Sequence, residues 1–120
     1  MPTIYLLPSC ATCRRVRDTL RPLADWRVRD IKAEPLTPTE LDALAERAGG
    51  YEPLFSRRAV LYRQRGLHGQ ALTEADYRRL ILEHYTFLKR PVMVVDDSGG
   101  GGGVFAGSSK KVVEAAARAV

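Results

Sequence analysis

The stretch IYLLPSC, residues 4–10, decides the fold, because it combines a strand-like run with a cysteine placed directly after it. Residues 3–7 are apolar and partly β-branched, and Pro8 ends the run. Short apolar runs that stop at a turn-forming residue are typical of buried strands. We therefore predict a first buried strand over residues 3–7, with a short loop between it and Cys10.

The pattern changes to helical spacing after this loop. Apolar side chains recur three and four residues apart among arginines, at Val16, Leu20 and Leu23. This spacing gives a helix one apolar face. We predict an amphipathic helix that begins near Cys10 and ends by Asp25. A strand with one buried face should follow over residues 26–31, where apolar and polar residues alternate.

The clearest helix signal is TPTELDALAERAGG, residues 37–50. Thr37 and Glu40 are spaced as a capping box, Pro38 suits the first helical position, and the glycine pair at 49–50 ends the helix.

The remaining elements follow from the same reasoning. We predict a short helix over residues 56–63, a helix from Thr73 and Asp76 to about His84, a strand over 92–95, a flexible hairpin loop over 97–103, a return strand over 104–106 and a final helix from Ser108 or Ser109. The helices are expected to bury Leu41, Leu44, Ala45, Ala48, Tyr77, Leu80, Ile81, Val112, Val113 and Ala116.

The order of elements is β-α-β, a helical middle, then β-β-α, with no internal repeat and no linker. A strand–helix–strand unit followed by a hairpin and a helix builds a mixed sheet. We predict an α/β, thioredoxin-like fold with an inserted helical region, in a single domain over residues 1–120. A chain of this length folds without a disulfide or a metal, so both cysteines are free for chemistry.

Composition narrows the class of protein. The 120 residues carry a net charge of +5, and 45% of them are hydrophobic. No run of about 18 apolar residues occurs, and the N-terminal segment lacks the features of a signal peptide. We expect a cytoplasmic protein with no membrane partner, in a compartment where structural disulfides are rare. Acidic residues interleave with the arginines, so we expect no direct contact with nucleic acid.

Cys10 and Cys13 are the candidate catalytic pair. Free N–H groups at a helix start carry about half a positive charge and stabilise a thiolate. Cys10 gains most from this position, Cys13 lies one turn inside and can attack a mixed disulfide on Cys10, and Arg14 adds positive charge. A zinc-ligand pair and two inert thiols are the alternatives. Zinc needs further ligands, and His68 and His84 lack the usual spacing, so we predict no metal.

Arg90 and Pro91 form the second candidate feature, directly before a predicted strand. Proline removes a ladder donor and therefore belongs at a strand start or edge. A cis proline that faces the cysteine loop is a recurring device of thioredoxin folds, and the sequence does not show the isomer. Arg90 is expected to hold an oxyanion over the thiolate with its guanidinium fork, or else to be an ordinary surface arginine.

Four stretches together resemble the glutaredoxin-linked arsenate reductase family, which includes the Spx-type transcriptional regulators. They are IYLLPSCATCRRVRDTL, LFSRRAVLYRQRGL, LTEADYRRLILEHYTFLKRPVMVVDD and VFAGSSKKVVEAA, and they cover nearly the whole chain. The resemblance implies that a loop cysteine attacks arsenate while arginines hold the oxyanion. It implies no bound cofactor, only an external thiol reductant: glutathione with glutaredoxin, or another donor such as thioredoxin.

By position, Cys10 matches the family's nucleophile, Arg90 the arginine before the proline, and Arg14 the arginine four residues after the nucleophile. Cys13 replaces the serine of a typical reductase and gives the Cys-x-x-Cys of Spx-type proteins. Two further arginines of the reductases fall on Tyr62, with Arg63 one position away, and around Ala106-Gly107, so this chain lacks them at those positions.

Three classes of function follow. The first is an enzyme that reduces arsenate, or exchanges disulfides generally, through Cys10 and Cys13 with Arg90 and Arg14 at the oxyanion. The second is a regulator that binds RNA polymerase and uses the cysteine pair as a redox switch. The third is a small binding domain that kept the fold and lost the chemistry.

Overall fold

A computed structural model describes residues 1–95 and 103–120. The chain divides into two compact units. The first comprises Met1–Glu34 and Arg90–Val120, and the second comprises Pro35–Lys89. The first unit therefore uses both ends of the chain, and the second is the inserted helical region between them.

The first unit contains a four-stranded mixed sheet. Its strands are β1 (Thr3–Leu6), β2 (Arg27–Asp30), β3 (Val92–Val95) and β4 (Gly103–Ala106), in the order β2-β1-β3-β4. β1 and β2 are parallel, and the other two pairs are antiparallel. This arrangement confirms the predicted α/β fold with a mixed sheet.

Two helices complete the first unit and share a core with the sheet. They are α1 (Ala11–Leu20) and α5 (Lys110–Ala119). Their apolar faces pack with β1 and β3 in one buried cluster made of Ile4, Leu6, Cys13, Val16, Leu20, Met93 and Ala116. The predicted cysteine helix and final helix are thus confirmed. One of the two cysteines belongs to the core itself.

The second unit consists of α2 (Pro38–Ala48), α3 (Val60–Gln64) and α4 (Glu74–Glu83), joined by short 3-10 turns. The capping box at Thr37 and Glu40 begins α2, and Gly49 ends it in the left-handed region with φ of 86°. A second capping box at Thr73 and Asp76 begins α4. These signals are local in sequence, which is why the sequence predicts both helices correctly.

Polar contacts fix the turn that follows α2. The Glu74 carboxylate accepts the backbone N–H groups of Tyr51 and Glu52, at 2.7 and 3.0 Å. The guanidinium of Arg78 grips both oxygens of Asp42, at 2.8 and 3.2 Å, and the Tyr51 hydroxyl donates to the same carboxylate at 2.6 Å. α2 and α4 are therefore joined by charge-assisted hydrogen bonds.

Several predicted details are wrong. Leu23 does not extend the apolar face of α1, because the chain turns into a 3-10 helix at Arg21–Leu23 and leaves Leu23 52% exposed. The buried face expected for residues 26–31 is incomplete, because β2 is an edge strand and Val28 is 49% exposed.

The short helix predicted over residues 56–63 is observed later, as α3. Ser56 instead donates its N–H to the Phe87 carbonyl at 2.8 Å, and residues 57–59 form a turn before the helix begins. The flexible loop predicted over 97–103 falls outside the described residues, except for Gly103, which begins β4.

Candidate functional site

The loop between β1 and α1 presents Cys10 at the start of the helix. Cys10 is the N-cap residue, with extended backbone (φ −85°, ψ 118°), and its N–H donates to the Leu7 carbonyl at 2.9 Å. Its own carbonyl accepts the N–H of Arg14 at 3.1 Å. The first N–H groups of α1 consequently have no helical acceptor and are free to bond the sulfur.

These contacts favour the thiolate form of Cys10. Partial burial opposes ionisation, but it is outweighed by hydrogen bonds from the Cys13 backbone N–H, the Cys13 thiol and the Thr12 backbone N–H, together with the charge of Arg90. The net effect lowers the pKa of Cys10 below its ordinary value. Cys10 is also partly exposed, so it combines the two properties of a reactive cysteine, a stabilised thiolate and access.

Cys13 has the opposite character. Its side chain is fully buried in the core, and burial is the largest cause that raises its pKa, to about 11. The hydrogen bond it donates to Cys10 and the negative charge on that sulfur raise its pKa further. Cys13 is therefore a buried, protonated thiol at neutral pH, next to the Cys10 sulfur.

Arg90 and Pro91 lie at the same edge of the sheet as the cysteine loop. β1 ends there, and β3 begins there with Val92 opposite Tyr5. The Arg90-Pro91 peptide bond is cis. The positive charge of Arg90 acts on both sulfurs and lowers the pKa of each, although burial prevails at Cys13. The structure thus places Arg90 close enough to the cysteine pair for its charge to act on both sulfurs.

Ala106-Gly107, where the reductases carry an arginine, lies beside Pro91. Ala106 pairs with Val92, and the Gly107 N–H donates to the Pro91 carbonyl at 2.9 Å. Gly107 adopts a φ of 111°, a conformation that favours glycine. The position is therefore part of this edge, and it supplies backbone groups where the resemblance implies an arginine.

Arg14 has a role that sequence reasoning did not identify. Its Nη1 donates to the Pro8 carbonyl at 2.9 Å, across the loop that carries Cys10. The sequence predicts Arg14 as an oxyanion ligand, and the structure places its guanidinium against the loop backbone. Spacing alone gives no signal for this bond, because it depends on how the loop turns between Leu7 and Cys10.

Tyr62 belongs to the helical unit, where it packs against the buried ring of Phe55 at 5.9 Å between ring centroids. It therefore serves as a packing residue of that unit. Among the residues described, no group of three or more His, Cys, Asp or Glu is placed to hold a metal ion. No helix within residues 1–95 or 103–120 is long and apolar enough to cross a membrane.

A dithiol at the start of a helix, on a mixed four-stranded sheet, defines a thioredoxin-like protein. The family model for the ArsC family matches residues 5–115. This chain belongs to the ArsC family.

Individual relatives include proteins of two kinds. The global transcriptional regulator Spx of Enterococcus faecalis is 32% identical over 96 residues, which cover 78% of this chain and 73% of the regulator. An arsenate reductase (ArsC) related protein from Brucella melitensis is 26% identical, with a TM-score of 0.71 and coverage of 95% and 92%. An ArsC family related protein from Bacteroides fragilis shares the fold, with a TM-score of 0.79 at 22% identity over 96% of each chain.

Proposed function

We propose that this protein is a thiol-dependent arsenate reductase in which Cys10 is the nucleophile and Cys13 the resolving thiol. The observation that carries the proposal is the contrast between two neighbouring thiols: Cys10 is partly exposed and its pKa is lowered, whereas Cys13 is fully buried and its pKa is raised to about 11. Catalytic dithiols need this difference in reactivity, because one thiol attacks the substrate and the other attacks the resulting adduct only afterwards. Membership of the ArsC family supports the choice of arsenate.

The first step forms a bond between the Cys10 sulfur and arsenic. The thiolate attacks arsenate, and one arsenate oxygen leaves as water after protonation. Arg90 stabilises the oxyanion, because a guanidinium donates two parallel hydrogen bonds to neighbouring oxygens. Arsenic remains in the pentavalent state at this point.

The second step transfers two electrons. Cys13 attacks the Cys10 sulfur, the S–As bond breaks with its electron pair going to arsenic, and trivalent arsenite leaves. The Cys13 proton passes to the departing oxyanion, and Cys10 and Cys13 are left as a disulfide. Consumption of the Cys10 thiolate removes two of the causes that raise the Cys13 pKa, so Cys13 ionises more readily when it is needed.

An external reductant completes the cycle, because each turnover leaves Cys10 and Cys13 oxidised to a disulfide. Glutathione with glutaredoxin, or thioredoxin, supplies two electrons and two protons to the disulfide. Ala106-Gly107 at the site leaves fewer cations around the oxyanion than in the reductases the chain resembles. General thiol–disulfide exchange therefore stands as the second substrate class for the same two cysteines.

A redox-switched regulator of the Spx type, which binds RNA polymerase, is the alternative function. The Cys-x-x-Cys and the 32% identity to the Enterococcus faecalis regulator favour it. Formation of the disulfide would remove the thiolate charge from the start of α1 and move a core sulfur, which is a local change able to alter a partner surface.

Steady-state arsenate reduction distinguishes the functions. The purified protein is assayed with glutathione and glutaredoxin, and separately with thioredoxin and its reductase, while arsenite is quantified. Arsenite formation that Cys10→Ser abolishes supports the reductase. Absence of arsenite with both donors, combined with binding of RNA polymerase by only one redox form of the protein, would establish the regulator instead.

A further inference from the structure

One edge of the sheet collects the groups that surround the reactive sulfur. β1 and β2 are parallel and end there, β3 begins there, and β4 ends there with Ala106 opposite Val92. α1 and α5 both begin at this edge, because each follows a strand that ends there. We call it the cysteine edge, and it consists of residues 7–10, 31–34, 90–91 and 107–109 with the first turns of α1 and α5.

The charge at the cysteine edge is predominantly positive. Its basic residues are Arg14, Lys32, Arg90, Lys110 and Lys111. The acidic side chains beside them are Asp30, Glu34 and Glu114, and the Glu114 carboxylate lies 4.0 Å from the Lys110 ammonium. Asp30 accepts the backbone N–H groups of Lys32 and Ala33 at 2.9 and 3.2 Å, and Glu34 pairs with Arg29 at 3.8 Å. The five cations therefore outnumber the three carboxylates beside them.

The width of this charged edge exceeds what an oxyanion needs. Neighbouring strands lie about 4.8 Å apart, so the four strands span about 14 Å from β2 to β4. Lys32 follows β2, and Lys110 and Lys111 follow β4, so these cations stand on opposite sides of the strand that leads to Cys10. A bound oxyanion contacts groups within a few ångströms of the sulfur, whereas a protein face extends across the full width.

We infer that the cysteine edge is a docking surface for a protein thiol reductant whose own reactive cysteine is surrounded by acidic side chains. The identification of the partner as a reductant rests on the proposed function. Long-range attraction between a basic and an acidic face raises association rates by about 10- to 1,000-fold at low salt, and added salt suppresses it. Lys110 and Lys111, both exposed on α5, should contribute to the rate without touching the reacting sulfur.

The exchange step is a thiol–disulfide substitution at the Cys10 sulfur. The reductant's thiolate attacks Cys10, the group previously bonded to Cys10 leaves as a thiolate, and a mixed disulfide joins the two proteins. The reductant's second thiol then attacks the reductant's first sulfur in the mixed disulfide and releases the Cys10 thiolate. Two electrons and two protons pass in total, and Cys10 rather than Cys13 is attacked because Cys13 is fully buried.

The test measures docking independently of arsenate chemistry. Cys13→Ser protein is loaded at Cys10 with thionitrobenzoate, and release of the chromophore is followed by stopped flow with an acidic thioredoxin or with dithiothreitol, which is uncharged. The background is compared with and without the double change Lys110→Glu and Lys111→Glu. Arg118→Glu is the matched control, because it reverses an exposed charge at the opposite end of the same helix.

We expect the double variant to lower the thioredoxin rate constant about 10-fold at about 0.01 M salt and to leave it nearly unchanged at about 1 M, where the screening length is about 3 Å. The dithiothreitol rate and the Arg118→Glu variant should match the background protein. A thioredoxin rate that does not respond to the double change, or an equal loss with dithiothreitol or with Arg118→Glu, would overturn the docking surface. Neither result depends on whether arsenate is the substrate.

Discussion

At the scale of single residues, the candidate site contains two identical side chains, three positions apart, that differ in burial and in pKa. Cys10 occupies the N-cap, where backbone N–H groups without a helical acceptor lower the pKa of its thiol. Cys13 lies one turn further on the inner face of α1, where it is 0% exposed. In the proposed mechanism, this difference in position makes Cys10 the nucleophile and Cys13 the resolving thiol.

The contrast predicts different titrations for the two single-cysteine variants. Cys13→Ser, which retains Cys10, should ionise below the ordinary thiol pKa of about 8.5. Cys10→Ser, which retains Cys13, should ionise well above that value, because burial alone raises its pKa. Thiolate absorbance followed against pH measures both. Near-equal values of about 8 to 9 in the two variants would contradict the assignment.

Arg90 is predicted to act on the oxyanion. Arg90→Ala should lower kcat/KM for arsenate by about 10²- to 10³-fold, as the loss of an oxyanion-hole donor does. Arg90→Lys should restore only part, because an ammonium cannot form two parallel bonds to neighbouring oxygens. Steady-state kinetics and thermal melting of both variants provide the measurement. Normal turnover with early melting in Arg90→Ala would assign the residue a structural role instead.

At the scale of elements, the turn after α2 depends on two adjacent glycines with different surroundings. Gly49 has a φ of 86°, and among the described residues nothing beyond its chain neighbours lies within 4 Å of the position that a Cβ would take. Gly50 has a φ of 141°, and a Cβ there would stand 2.7 Å from the Glu74 carboxylate oxygen. That carboxylate cannot move away freely, because it accepts two backbone N–H groups.

The two alanine substitutions should therefore differ in cost. Gly49→Ala should lower the free energy of unfolding by about 1–2 kcal/mol, because it only places an alanine in left-handed backbone. Gly50→Ala introduces backbone strain and also displaces Glu74 from its hydrogen bonds. This displacement should lower the free energy of unfolding by a further amount of about 1–3 kcal/mol. Urea unfolding of the two variants gives the comparison. Equal free energies of unfolding would mean that Glu74 does not hold the turn.

Elements whose signals are local could be predicted from the sequence, and those that depend on distant contacts could not. Both capping boxes lie within four residues, so α2 and α4 begin where expected. The start of α3 depends on Ser56 bonding Phe87, 31 positions away in the chain. The exposure of Val28 depends on the order of strands in the sheet, which no window of sequence contains.

The same distinction applies to the candidate site. Cys10 and Cys13 stand out because their spacing and their position before a helix are visible in the sequence, and Arg90 stands out because it precedes a proline at a strand start. The contact of Arg14 with the Pro8 carbonyl depends on the path of a loop, and it escapes such reasoning.

At the scale of the whole molecule, the proposed cycle requires a disulfide to form and to be reduced. Cys10→Ser should abolish turnover, since no exposed nucleophile remains. Cys13→Ser should accumulate a mixed disulfide between Cys10 and glutathione or thioredoxin, because no internal thiol can displace the partner. Intact-mass spectrometry after oxidation provides the measurement.

Wild type should lose about two mass units on oxidation, and neither variant should, because only wild type holds both sulfurs of the disulfide. Wild type that carries glutathione instead, together with a fully active Cys13→Ser variant, would show that Cys10 works alone.

The burial of Cys13 also makes this chain its own stability sensor. In Cys10→Ser protein, iodoacetamide can reach the remaining sulfur only when the helix lifts from the sheet, because that sulfur is packed with Ile4, Leu6 and Val16. The alkylation rate then counts openings of the core under native conditions, as amide hydrogen exchange does for backbone groups. We expect labelling to be slow and to accelerate with small amounts of urea. The alkylation rate of Cys13 thus measures how often the scaffold that carries the candidate site opens.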